Sequence, residues 1–99
     1  MANPSIITTT VETDVGWLAS VRVTESGAST DHRVHITRAD FERLAAGTDA
    51  TPDDLVRESF EFLLEREPKE SIMREFDVMV IARYFPEYGR EIRHRLSSA

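Results

Sequence analysis

The chain has no cysteine, a single lysine, and only four prolines and four glycines among its 99 residues. Without cysteine there is no disulfide, no thiol nucleophile and no cysteine-ligated zinc or iron–sulfur centre. No apolar run approaches the ~20 residues that span a bilayer. The opening MANPSIITTT has neither the basic start nor the apolar stretch of a secretory signal, so no membrane role and a cytosolic setting are expected. Positive charge is scarce too: 12 Lys and Arg against 18 Asp and Glu leave a formal net charge of −6. That sign disfavours a general nucleic-acid binder, because phosphate contacts need a positive surface. Also missing are the glycine-rich phosphate loop, the nucleophile elbow, the zinc-protease helix motif and the calcium loop.

What is present suits a folded domain. Hydrophobic residues make up 40% and charged residues 30% of the chain, and a length of 99 residues allows one core, since two would each be too small to offset their chain entropy. One domain is expected: residues 1–4 without fixed structure, 5–37 a β-meander, and 38–98 a helical part. Up to residue 37, β-branched residues alternate with polar ones in SIITTTVE, WLASVRVTE and HRVHIT, separated by the turn formers TDVG and SGASTD. Trp17, Ala19, Val21 and Val23 share one face of the second strand, as do Val34 and Ile36 in the third, with Arg33 and His35 opposite.

Helical spacing follows. TRAD places Thr37 as N-cap of a short helix carrying Phe41, Leu44 and Ala45, which Gly47 stops. In ATPDD, Thr51 caps a longer helix to about Arg66, Pro52 takes its first position, and Asp53 and Asp54 complement the helix dipole. Its apolar residues Leu55, Val56, Phe60, Phe62, Leu63 and Leu64 cover roughly 200° of circumference, wider than the ~100° stripe of a surface helix. It is therefore either the central element or flanked by a second chain. Asp77 caps a third helix from Val78, although VMVI also suits a buried strand. Pro86 starts a last helix with Tyr88, Ile92 and Leu96 on one face. The fold class read from this is α+β, a small antiparallel meander of about three strands with one face covered by several helices.

Charge is divided along the chain, with nine acidic against four basic side chains over residues 53–77 and four arginines against two glutamates over residues 83–99. The basic last helix is thus the candidate partner interface, through Tyr88, Ile92 and Leu96 together with Arg90 and Arg93, facing either a protein partner or the acidic helix of a second copy. No catalytic set, metal set or cofactor is read. His32 and His35 point to opposite faces of a strand, and Asp54, Glu58, Glu61 and Glu65 follow the solvent face of the long helix.

Residues 32–66, HRVHITRADFERLAAGTDATPDDLVRESFEFLLER, resemble the strand, short helix and longer helix of the ribbon-helix-helix transcriptional regulators. That resemblance implies a dimer whose paired strands read the DNA major groove through Arg33, His35 and Thr37, with the amide end of the Thr51 helix near a phosphate. Residues 62–88, FLLEREPKESIMREFDVMVIARYFPEY, are similar to the C-terminal part of a family of small uncharacterised bacterial proteins, and eleven arginines to one lysine suit a GC-rich bacterial genome. The leading expectation is a non-enzymatic interaction or regulatory protein that forms a homodimer or meets a protein partner. A ribbon-helix-helix DNA regulator comes second, and a small hydrolase or metal-dependent enzyme third.

Overall fold

A computed structural model describes residues 4–97. The expected unstructured start therefore falls, except for Pro4, outside the described residues, as does residue 98 at the end of the helical part.

Alternation of β-branched and polar residues gives three long antiparallel strands, β1 (Ser5–Glu12), β2 (Gly16–Glu25) and β3 (Ala28–Thr37). Ser26 and Gly27, both at positive φ, form the two-residue turn between β2 and β3, the backbone twist that such a hairpin requires. Between β1 and β2, the Thr13 N–H donates to the Gly16 carbonyl at 2.8 Å, and the Gly16 N–H donates to Thr13 Oγ1 at 3.1 Å. Ala19, Val21, Val23, Val34 and Ile36 are buried on the inner face, as the alternation implies.

The sheet has four strands rather than about three. Residues Glu75–Asp77 form β4, which runs parallel to β3 with Val34 opposite Phe76, so residues 38–98 are not wholly helical. The Arg33 N–H donates to the Arg74 carbonyl at 2.7 Å and the Val78 N–H to the His35 carbonyl at 3.0 Å. Three residues are too few to carry a readable alternation, and their partner lies some forty positions away.

The helices cover the inner face. α1 (Arg38–Leu44) starts where the Asp40 N–H donates to Thr37 Oγ1 at 3.1 Å. α2 (Pro52–Leu64) begins with a complete capping box between Thr51 and Asp54. It lies against β1 and β2 on one side and against α4 (Tyr88–Ser97) on another. This sandwiched position accounts for its wide apolar arc: Leu55, Val56, Phe60 and Phe62 are all fully buried. The end of α2 and α4 are joined within the chain by one ion pair, in which Arg95 Nη2 donates to both Glu65 oxygens at 2.7 and 2.8 Å.

Between them, β4 leads into α3 (Val80–Tyr84). The helix starts two residues later than Asp77 suggested, because the Asp77 carboxylate accepts from the Met79 N–H at 2.9 Å and so holds a turn ahead of the helix.

Candidate functional site

An apolar concavity lies between the end of α2, the link to β4, and α3. The Arg66 and Glu67 N–H groups both donate to the Leu63 carbonyl, which turns the chain away from α2. A 3₁₀ turn at Lys69–Ser71 then lays Ile72 into the core. Phe76 on β4 forms the floor. On α3, Ile81 points inward, while Val80 and Tyr84, one turn apart, stand at the rim. Phe85 closes one end, packed edge-on to Phe62 with ring centroids 5.8 Å apart, and the Arg66 guanidinium lies 3.6 Å over the Phe62 ring.

These residues enclose about 420 Å³. The lining is apolar except for Glu67, Ser71 and the Tyr84 hydroxyl. Met73 is 43% exposed and Tyr84 68%, so two large apolar side chains stand open to solvent at the groove. Glu67 pairs with no cation among the described residues. Such a site can hold an apolar group that carries a neighbouring positive charge. Among the described residues no hydrogen bond joins its Ser71 hydroxyl to its Glu67 carboxylate.

The residues singled out from the sequence lie elsewhere. Tyr88 and Ile92 are fully buried and Leu96 nearly so, all within the chain's own core, so that face of α4 is already covered. The Tyr88 hydroxyl meets Ser59 Oγ at 2.6 Å, and Ser59 donates to the Leu55 carbonyl at 2.7 Å. Burial pushes the Tyr88 phenol well above its ordinary pKa. Arg93 donates to the Arg43 carbonyl at 3.2 Å, at the carboxyl end of α1, where a cation complements the helix dipole. Arg90 is exposed.

Arg33 and His35 are exposed on the outer sheet face, and Thr37 is spent as the N-cap of α1. β3 is flanked by β2 and β4, so at Arg33 and His35 there is no open edge for the strand-to-strand pairing implied by the ribbon-helix-helix resemblance. His35 instead pairs with Glu75 at 2.6 Å. That hydrogen bond, helped by the nearby charge of Arg33, holds the Glu75 carboxyl below the usual range.

His32 is buried beneath the Phe60 ring, with Nδ1 on the Met73 carbonyl at 2.7 Å and Nε2 on Thr30 Oγ1 at 2.8 Å. The two histidines do face opposite ways, as strand alternation requires. Among the α2 carboxylates, Asp54 is engaged in the capping box and Glu65 with Arg95. Glu58 has its pKa raised, first by partial desolvation and then by the neighbouring Glu61 carboxylate. Among the described residues no three histidine or carboxylate side chains converge as a metal site, and no helix is long and apolar enough to cross a membrane.

The groove was not foreseen from the sequence, because it forms only where the end of α2, the 3₁₀ turn, β4 and α3, all within residues 63–85, fold back on one another. The one local signal was the pair of apolar side chains, Met73 and Tyr84, placed where no amphipathic face buries them. The chain matches no protein-family model, no curated protein and no solved structure.

Proposed function

We propose that this chain is a protein-interaction domain with no chemistry of its own, and that its groove receives one large apolar side chain of a partner, with a lysine or arginine beside it meeting Glu67. The observation that carries the reading is an apolar cleft of about 420 Å³ flanked by exposed Met73 and Tyr84 and holding one carboxylate without a cation among the described residues. Side chains of this kind anchor most interfaces: a buried aromatic or aliphatic group supplies the energy and an adjacent charge sets orientation.

Selection of random peptides on the immobilised protein tests this. The selected sequences are expected to converge on an aromatic or long aliphatic residue next to a cation. Val80→Asp, which puts a charge at the groove rim, should weaken their binding tenfold or more while leaving the circular dichroism spectrum unchanged. Peptides that bind the Val80→Asp protein as tightly as the wild type, or a selection with no consensus, would sink the proposal.

A further inference from the structure

Among the described residues β1 is the outer strand of the sheet, paired with β2 alone, and its open side is defined by the hydrogen-bond pattern. Thr13 and Gly16 are a hydrogen-bonded pair at the β1–β2 turn. Pairing in an antiparallel ladder alternates, so the odd residues of β1 bond to β2 and the even residues Ile6, Thr8, Thr10 and Glu12 turn their backbone groups outward. The Arg57 guanidinium, which donates to the Ile6 carbonyl at 2.7 Å from outside the sheet, agrees with that assignment. Past that guanidinium, from Ile7 to Val11, the strand carries no proline, no lysine and no inward charge, the usual protections of an exposed edge. Its outer face carries Ile7 at 59% and Val11 at 55% exposure. On its inner face Thr8 Oγ1 is buried without a hydrogen-bond partner among the described residues.

We infer that this edge docks a second copy of the same chain, β1 against β1 antiparallel, with Thr9 on the two-fold axis. Three separate features select that register. Outward-facing residues must oppose one another, so Thr8 faces the second copy's Thr10 and Ile6 faces its Glu12. Thr8 then gains a cross-strand hydroxyl for its unpartnered oxygen. Ile7 lies directly opposite Val11, which covers both exposed apolar side chains. Glu12 arrives beside Arg57, so the guanidinium exchanges the Ile6 carbonyl for a carboxylate while the Glu12 N–H takes over that carbonyl. Glu12 already holds Arg38 through Oε2, and its other oxygen has no hydrogen bond among the described residues. A symmetric contact of this kind closes on itself and joins two four-stranded sheets into one. It uses a surface distinct from the groove, so either proposal can fail without the other.

Cysteine scanning tests the register without interference, because the chain has no cysteine of its own. Thr9→Cys places two thiols opposite each other in a non-hydrogen-bonded pair, the closest in an antiparallel ladder, and mild oxidation should give a covalent dimer. Ile7→Cys serves as the control, since in this register the two thiols lie about 13 Å apart along the strands and stay unlinked. Light scattering on the unmodified chain should give twice 11.3 kDa. Thr10→Pro removes an outward N–H that β2 does not use, and should halve that mass with the circular dichroism spectrum retained. Four results would each overturn the inference: a monomer at every concentration up to millimolar, a covalent dimer of the Ile7→Cys variant, no covalent dimer of the Thr9→Cys variant, or a dimer that survives Thr10→Pro.

Discussion

The buried hydroxyl pair between α2 and α4 gives a prediction with a definite order of effects. Ser59 donates to the Leu55 carbonyl, so the Tyr88 hydroxyl must be the donor to Ser59. Tyr88→Phe removes one buried hydrogen bond and leaves Ser59 satisfied by Leu55, a loss of about 1 kcal/mol. The ring itself stays edge-on to Phe62, 5.4 Å away. Ser59→Ala strands the Tyr88 hydroxyl in a fully buried site, and leaving a buried donor unpaired costs about 1–3 kcal/mol. In the double variant neither hydroxyl remains, so it should be more stable than Ser59→Ala alone, a coupling that a double-mutant cycle measures directly. Urea melts followed by Trp17 fluorescence give all four free energies. Additive losses would show that the two hydroxyls do not depend on each other and would refute the reasoning. The pH dependence follows with its sign. The folded phenol is raised above the unfolded value of about 10, so its contribution is complete below that pH and is lost as pH rises beyond it. Tyr88→Phe should remove this alkaline loss.

Three further outcomes follow from single sites. A Cβ at Gly16 would lie 1.9 Å from the Ile36 carbonyl oxygen, so Gly16→Ala should lower stability in a thermal or urea melt by about 2–3 kcal/mol through forced backbone displacement; an unchanged melt would contradict the close approach. Glu58 has a raised pKa, so ionising it opposes folding, and stability present at acid pH is lost as pH rises through the folded value. Glu58→Gln should therefore stabilise the protein at neutral pH and leave it unchanged in acid, as urea melts at the two pH values would show. Glu75 is depressed by His35, so its contribution is present above the usual carboxylate range and lost as pH falls; in His35→Ala the Glu75 carboxyl resonance should titrate at a higher pH than in the wild type.

Local chemistry was legible in the sequence and long-range pairing was not. Thr37 and Thr51 cap their helices as their side chains and the residues three positions on dictate, and the three long strands alternate as written. The wide apolar arc of α2 correctly required cover on two sides. Whether the second cover was α4 of the same chain or of another could not be read, because the arc and the arginine–glutamate complementarity are the same in both cases; the structure places Arg95 on Glu65 of the same chain. β4 went unseen because its ladder depends on Phe76 finding Val34, a contact with no local signature. The groove depends in turn on β4 and on the turn that Asp77 holds before α3. For Ile7 and Val11 the alternation was visible in SIITTTVE, but only the strand order shows that their strand is an edge.

Binding of an apolar side chain with an adjacent cation in the groove can be followed by an amide-resolved NMR titration with the blocked dipeptide N-acetyl-phenylalanyl-lysinamide. Shifts are expected to cluster at Glu67, Met73, Val80, Ile81 and Tyr84, and Val80→Asp should abolish them. Shifts centred instead on Arg33 and His35 of the outer sheet face, or no shift at millimolar dipeptide, would contradict it.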